Sequence, residues 1–286
     1  MIDLHTHTTA SDGKFAPPDL VARAARAGVT VLAVTDHDTM AGCASAAAAC
    51  AEHGIEFVTG IEVTAVADER DVHVLGYFVD PHDTPLNAFL AVQREHRLDR
   101  IRAMVAKLAA HGVHLDIDKV LGPTVSDTRK SAGRPWIARA MLDAGHVASI
   151  GEAFDRWLTP GRPAFDRRIG ASPAEVFGRI KAAGGLATLA HPALLKHDEL
   201  IAGYVAAGLD AIEVYHSDHD EAATARYLAI ARQHRLLVTG GSDFHADDAH
   251  GGGEPGDVTL PRVHYDRLLD ARAARRATAS GASTSS

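Results

Sequence analysis

The sequence predicts an α/β fold in which seven strands close into a barrel, interrupted by a helical insertion. Three observations support this fold class. Short β-branched runs alternate with helical patterns in residues 1–80, the same alternation returns after residue 170, and only helical patterns appear between them. At 286 residues the chain is long enough to bury the core of one such barrel.

Each predicted strand is a short apolar run, and most are followed by a helical pattern. The seven strands are expected at residues 2–4, 29–34, 55–59, 72–79, 186–190, 210–215 and 236–239. Predicted helices at 17–27 and 41–53 end at Gly28 and Gly54, since glycine readily adopts the left-handed conformation that closes a helix. Ser172, Pro173 and Glu175 form a capping box that opens the next helix.

Residues 81–170 are predicted to form the insertion, which divides the barrel into segments 1–80 and 171–286. A long helix begins at Thr84-Pro85, and further helices are expected at 135–144 and 150–157. Arginines on glycine-proline turns in this segment are suited to face the barrel mouth. The insertion is therefore expected to act as a substrate cap.

Composition excludes several classes of protein. A formal net charge of −8 leaves no basic footprint for duplex nucleic acid. Cys43 and Cys50 are the only cysteines, and their spacing fits neither a disulfide framework nor a thiolate metal site, which favours a reducing cytoplasm. The chain shows no signal peptide and no apolar run of membrane-spanning length, so no membrane partner is expected. The oligomeric state stays open.

Metal-competent side chains follow most of the predicted strands. They are His5 and His7, then Asp36, His37 and Asp38, then Glu62, His191, Glu213, His216, Asp243 and His245. In a parallel barrel the carboxyl ends of all strands open on one face, so these residues are expected to converge. An isolated histidine is more often a surface or core residue, but independent placement does not explain the whole set. Imidazoles mixed with carboxylates suit Zn, Mn or Fe, and the ligands suffice for more than one ion.

A set of short motifs resembles the polymerase and histidinol phosphatase (PHP) family. The motifs are His5-x-His7, Ser11-Asp12-Gly13, Thr35-Asp36-His37-Asp38, Gly60-Ile61-Glu62, His73, Ala190-His191-Pro192 and Ser242-Asp243-Phe244-His245. The resemblance covers nearly the whole chain. Within the family, the pattern is similar to the stand-alone branch of nucleoside 3′,5′-bisphosphate phosphatases and a 5′-to-3′ exoribonuclease. It implies a distorted seven-stranded (β/α) barrel with a helical insertion and a site for two or three divalent metal ions.

The resemblance also implies how the ligands are shared. One ion would take His5, His7, Glu62 and Asp243, a second would share Glu62 and add His73 and His191, and a third would take Asp12, His37 and His245. From the sequence pattern alone, His73 is as consistent with a solvent-facing strand residue as with a metal ligand. It also favours an ordinary turn for Asp12, so only the resemblance makes these two residues ligands.

Phosphate binding and proton transfer are assigned to residues outside the metal set. Arg134 and Arg162 are candidate phosphate contacts, although each could instead be a solvated surface arginine. His216 and His219 are candidate proton donors to the leaving oxygen, although a helix N-cap near Ser217 would explain this polar cluster equally well.

Trp136 occupies a position at which the family usually has histidine. An indole offers one neutral N–H and a large apolar face, so we expect a weaker grip on a second phosphate and a preference for monophosphorylated compounds. The alternative is that Trp136 only packs within the insertion.

These features predict a metal-dependent phosphoesterase that hydrolyses a phosphate monoester of a nucleotide or nucleotide-like small molecule through metal-activated hydroxide. Two alternatives remain. One is a 5′-to-3′ exonuclease on short RNA, and the other is a catalytically silent metal-binding module.

Overall fold

The structure is a computed structural model that describes residues 1–246 and 253–283. One seven-stranded sheet is present, and its strands lie side by side in chain order. They are β1 (Ile2–Asp3), β2 (Val31–Val34), β3 (Glu56–Ala67), β4 (Arg70–Tyr77), β5 (Leu186–Leu189), β6 (Ala211–Tyr215) and β7 (Leu237–Gly240). The N–H of Leu4 donates to the Gly240 carbonyl at 3.2 Å, and a parallel bridge joins Thr6 to Phe244. The first and last strands therefore meet, which confirms the predicted distorted barrel.

The fourth strand departs from the expected all-parallel arrangement, because β4 runs antiparallel to both β3 and β5. The expectation that Glu62 follows the end of the third strand is also wrong, since β3 continues to Ala67. Asp68 and Glu69, with φ of 48° and 64°, form the tight left-handed turn that joins β3 to β4 as a hairpin. The hairpin places Glu62 and His73 in the interiors of neighbouring strands.

Helices cover the outside of the barrel and form the insertion. They are α1 (Pro17–Ala27), α2 (Cys43–His53), α3 (Thr84–Ala110), α4 (Ile117–Ser126), α5 (Arg134–Asp143), α6 (Ile150–Ala153), α7 (Pro173–Ala182), α8 (Pro192–Leu195), α9 (Ile201–Ala206), α10 (Glu221–His234) and α11 (Arg262–Ser283). A π-helical turn, Phe154–Leu158, continues α6. In the described part of the chain, no helix combines the length and apolar character needed to cross a membrane.

The insertion has a hydrophobic core of its own, built from side chains between Ile101 and Ala164 and separate from the barrel core. This core packs the C-terminal half of α3 against α4, α5 and α6. The sequence did not predict α4, because Gly122 and Pro123 lie inside it and both residues disfavour helix interiors. The N-terminal half of α3 packs on the barrel core through Leu86, Phe89 and Leu90, so this helix connects the insertion to the barrel.

Candidate metal centre

The nine side chains predicted as metal ligands lie in one cluster at the barrel mouth. Their imidazole rings are close neighbours: the ring centres of His7 and His245 are 4.0 Å apart, and those of His73 and His191 are 5.0 Å apart. His37 connects the two halves, with ring centres 4.7 Å from His7 and 5.2 Å from His73. The fold therefore brings together residues that span most of the sequence.

Four ligand atoms form the first group. His5, His7, Glu62 and Asp243 each offer one atom, and these atoms all lie within 4.8 Å of one another. His7 Nε2 is 3.2 Å from Glu62 Oε2 and 3.1 Å from Asp243 Oδ1, while His5 Nε2 is 3.2 Å from the same Asp243 oxygen. All four residues are buried. This set is the one that the family resemblance implies for one ion.

Glu62 lies at the centre of the whole cluster and presents its two oxygens to different partners. Its Oε2 faces His5, His7 and His37, whereas its Oε1 is 2.7 Å from His73 Nδ1 and 3.2 Å from His191 Nε2. This division matches the implied sharing of Glu62 between two ions.

The third set gathers around Asp12. His37 Nε2 is 3.7 Å from Asp12 Oδ2, and His245 Nε2 is 3.4 Å from Asp12 Oδ1. His7 also belongs to this group. Two further groupings are possible, since His37 also combines with Glu62 and His73, and His5 also combines with Glu213 and His216. The imidazoles thus offer alternative pairings within one continuous cluster.

Several buried atoms in the cluster make no hydrogen bond within the described residues despite their close neighbours. They include His7 Nε2, Asp12 Oδ1, His37 Nδ1, His73 Nδ1 and Asp243 Oδ1. Leaving a buried polar atom without a partner costs about 1–3 kcal/mol, so such atoms rarely occur together by chance. Nitrogen and oxygen atoms that lie close together without hydrogen bonding to one another are the arrangement expected around a shared cation. The donor set, nitrogen and carboxylate oxygen without sulfur, fits a borderline or hard divalent ion.

The electrostatics of the cluster also favour cations. Burial alone would raise the pKa of Glu62, but the neighbouring His37, His73 and His5 hold that pKa well below its usual range. Burial would lower the pKa of His7, yet the adjacent carboxylates of Asp243 and Glu62 raise it to about 10. Despite burial, neighbouring histidines likewise hold the pKa of Asp12 and of Asp243 well below its usual range, whereas burial lowers the pKa of His37 and of His191. Ionised carboxylates and neutral imidazoles are the forms in which these groups bind a divalent ion.

Glu213 positions two of the predicted ligands. Its Oε1 accepts a hydrogen bond from His5 Nδ1 at 3.0 Å, and its Oε2 accepts one from the backbone N–H of His191 at 2.8 Å. The first contact leaves His5 Nε2 directed at the cluster, which is the usual arrangement for a metal-binding histidine. The sequence marked Glu213 as a polar strand residue, but it did not predict this orienting contact.

Asp36 and Asp38, which flank His37, make structural contacts and do not belong to the groups of possible metal ligands. Asp36 accepts hydrogen bonds from the N–H and hydroxyl of Thr8 at 2.8 and 2.6 Å and from the Ser11 hydroxyl at 2.7 Å. Asp38 forms an ion pair with the buried Arg97. Asp36 therefore fixes the turn that carries Asp12, and Asp38 fixes the insertion to the barrel.

Three non-glycine residues at the cluster have left-handed backbones. Asp38, His191 and Asp243 have φ values of 50°, 26° and 54°. Such conformations cost about 1–3 kcal/mol each and persist where the surrounding structure enforces them. Their location at strand ends around one cluster is typical of a functional site.

A cavity of about 130 Å³ lies between this cluster and the insertion. His37 and His73 line one side of it, and Arg97, Arg134 and Arg168 contribute guanidinium groups. Arg134 was predicted to reach this site. Arg97 and Arg168 were not, although Arg97 gave one usable signal, a charged residue on the buried face of a long helix.

The arginines around the cavity exceed the carboxylates that balance them. Arg97 pairs with Asp38, while Arg100 and Arg168 share Asp71 at 3.7 and 3.4 Å. Arg134 has no carboxylate within 4.0 Å among residues 1–246 and 253–283, and its guanidinium donates only to the Leu158 carbonyl at 3.4 Å. Burial and the neighbouring Arg97 lower the pKa of Arg168 to about 9. An anion in the cavity would offset this excess of half-buried positive charge.

The histidines predicted as proton donors lie at the edge of the cluster. His216 is buried, with Nε2 3.5 Å from Asp243 Oδ2, and the ring centre of His219 is 5.4 Å from that of His216. His219 Nδ1 donates to the Val214 carbonyl at 2.8 Å. The helix N-cap suggested near Ser217 is instead at Asp220, which caps α10.

The remaining substrate candidates differ in location. Trp136 is half-buried against the insertion core, and its indole N–H donates to the Ser11 carbonyl at 2.9 Å. Arg162 is exposed on a turn of the insertion and does not line the arginine cavity. Their roles toward substrate stay predictions.

A mixed seven-stranded barrel with clustered imidazoles and carboxylates at its mouth defines a class of metal-binding α/β barrel. Comparison with known families identifies the particular one: the PHP domain model matches residues 3–155, and the chain belongs to this family. The resemblance drawn from the motifs is confirmed.

Similar proteins cover nearly the whole chain. A 3′,5′-nucleoside bisphosphate phosphatase from Chromobacterium violaceum is 37% identical over 96% of this chain and 99% of its own length. A 5′-3′ exoribonuclease from Haemophilus influenzae is 34% identical over 85% of this chain and 89% of its own. A solved structure from Chromobacterium violaceum, described as an amidohydrolase with bound sulfate and no metal, superposes with a TM-score of 0.85 at 36% identity, covering 95% of this chain and 96% of that one.

Proposed function

We propose that this protein is a metal-dependent phosphoesterase that hydrolyses a phosphate monoester of a nucleotide or nucleotide-like small molecule. The observation that carries the proposal is the arginine cavity, where Arg97, Arg134 and Arg168 lie against the candidate metal cluster and Arg134 has no carboxylate within 4.0 Å in the described structure. A phosphate dianion supplies the missing negative charge. The names of the similar proteins support phosphoric esters as substrates, and the sulfate in one relative has the charge and tetrahedral shape of phosphate.

Two or three divalent ions, of Mn, Zn or Fe, would be held by the nine clustered ligands. His5, His7, Glu62 and Asp243 would hold one, Glu62 with His73 and His191 a second, and Asp12 with His37 and His245 a third. When bound, such ions neutralise charge on phosphate oxygens and acidify water.

The chain's own groups would position the substrate. Arg134 and Arg168 would donate charge-assisted hydrogen bonds to phosphate oxygens, holding phosphorus beside His37 and His73. His216, buried beside Asp243, would supply a proton to the leaving oxygen, with His219 next to it. Residues 81–170 would act as the cap, since the insertion contributes Arg97, Arg134 and Arg168 to the cavity. A cytoplasmic location and the exclusion of duplex nucleic acid stay predictions.

The exonuclease alternative is favoured by one observation, the 34% identity to an exoribonuclease. The cavity of about 130 Å³ accommodates a single phosphate group, which an RNA 5′ end and a mononucleotide both provide. Substrate length rather than the metal site therefore separates the two activities.

A phosphate-release screen tests the proposal. Purified protein, assayed with Mn, Zn or Fe(II), is offered nucleotides, nucleoside bisphosphates, sugar phosphates and short 5′-phosphorylated RNA. We expect hydrolysis of at least one small nucleotide. We also expect His5→Ala and Asp243→Ala to lose both turnover and bound metal, whereas the control His53→Ala, at an exposed lone histidine, keeps both. Full metal content without turnover on any phosphate ester would instead indicate a silent module.

A further inference from the structure

A cavity of about 520 Å³ lies between α2, β3 and the N-terminal half of α3. It is separate from the candidate metal centre. Among the described residues, none of those that line it also lines the arginine cavity, and none is one of the nine predicted metal ligands. A molecule bound here would therefore leave the metal cluster and the arginine cavity free.

The wall of this cavity is largely apolar, and α2 contributes only small side chains to it. Ala44 and Ala47 are three residues apart, so they lie on one face of the helix, where they leave space that larger residues would fill. Met40 and Phe57 extend the apolar wall. Cavities of about 300–1,000 Å³ with mainly apolar walls and a few polar groups are the usual binding sites for small molecules.

Arg94 brings an unbalanced positive charge to this apolar wall. Its Nη1 donates to the Asp38 carbonyl at 3.0 Å, but no carboxylate lies within 4.0 Å of its guanidinium in the described residues. Its buried Nε has no hydrogen-bond partner there either. Burial lowers the pKa of Arg94, because water solvates the half-buried charge poorly. The guanidinium thus has donors that an anion in the cavity could use.

The charged groups around Arg94 already have partners. Arg129, which also lines the cavity, forms a two-pronged pair with Asp127 at 2.9 and 3.0 Å, and Asp38 pairs with Arg97. No acidic residue lines the cavity in the part of the chain that the structure describes. The charge that is missing is therefore a single negative one, and a carboxylate supplies it in a form that hydrogen-bonds well to guanidinium.

We propose that this cavity binds a small monocarboxylate with an apolar body, and that the carboxylate pairs with Arg94. The apolar body would lie against Ala47 and Phe57, where its burial from water favours binding. The inference does not depend on the proposed phosphoesterase function, because the cavity shares no described lining residue with the arginine cavity.

Calorimetric titration of the full chain with two matched probes tests the site. Naphthalene-2-carboxylate carries the proposed charge, and naphthalene-2-methanol has the same apolar body without it. We expect saturable one-to-one binding of the carboxylate, about tenfold tighter than binding of the alcohol, as for one charge-assisted contact. Arg94→Gln should abolish this difference, and Ala47→Phe should weaken binding of both probes because it fills the cavity. Arg102→Gln and Ala48→Phe are the controls, since both positions are exposed and lie outside the cavity.

Several results would overturn the proposal. They are no saturable binding of the carboxylate, equal affinity of wild type for the two probes, or an unchanged Kd in either Arg94→Gln or Ala47→Phe. Inorganic phosphate, added as a competitor, should leave the affinity unchanged, and displacement of the probe would place it in the arginine cavity instead. If circular dichroism shows that Arg94→Gln does not fold, Ala47→Phe against Ala48→Phe decides. These titrations need no turnover, so a failed phosphatase screen leaves their result intact.

Discussion

Arg134→Ala is the most informative single substitution in the arginine cavity. Arg134 is the only one of the cavity's three arginines without a carboxylate within 4.0 Å in the described structure, and burial lowers its pKa. Removing it leaves no acidic group unpaired, because Asp71 keeps Arg100 and Arg168 as partners. Stability should therefore change little, and the loss should appear in substrate binding.

The expected magnitude follows from the contact that is removed. A hydrogen bond from a buried guanidinium to phosphate contributes about 1.5–3 kcal/mol, so kcat/KM should fall roughly ten- to a hundredfold on the best substrate of the screen. Metal content should remain at the wild-type value. Arg134→Lys should recover only part of the loss, since an ammonium group keeps the charge without the bidentate geometry.

Steady-state kinetics, metal analysis and thermal unfolding, measured on the same preparations, separate the possible causes. Arg156→Ala serves as the matched control, because this arginine lies on the same insertion and is exposed. Unchanged kinetics for Arg134→Ala would refute the phosphate-binding role. A parallel loss of metal would show that Arg134 acts through the metal cluster instead.

Three further outcomes are expected. Arg97→Ala should destabilise the fold by about 3–5 kcal/mol in urea denaturation, because it leaves a buried carboxylate unpaired; a change below about 1 kcal/mol would contradict this. Gly13→Ala should lower metal content and Tm, since its Cβ would lie 2.3 Å from a backbone oxygen, whereas Gly178→Ala, with open space around it, should do neither. Burial raises the pKa of Cys43 to about 12 and of Cys50 to about 11, so at pH 8 both stay protonated. Neither thiol should react with a disulfide reagent until the protein unfolds, and rapid native labelling would show otherwise.

Much of the candidate metal cluster could be predicted from the sequence because its signals are local. Histidines and carboxylates directly after apolar runs, such as His5, His191 and Asp243, lie at strand ends in the structure as expected. Seven strands and an all-helical segment between the fourth and fifth were also predicted correctly, since hydrophobic period and helix caps are properties of neighbouring residues. His73 and Asp12 had no such local signal, and they became candidates only through family resemblance.

Pairings between residues distant in sequence were decided by the tertiary structure. No local pattern indicates that Arg97 meets Asp38, or that the fourth strand runs antiparallel and carries His73 toward Glu62. The cavity beside the Asp12 turn is a similar case, because Lys14 of the barrel and Arg139 of the insertion line it together only in the folded chain. The sequence by itself determined which chemical groups the protein has and on which elements they lie, since local propensity and periodicity act over a few residues. The tertiary structure decides which charged side chains have no partner, and therefore which ligands the protein can bind. The reason is that these pairings depend on distances that exist only in the folded chain.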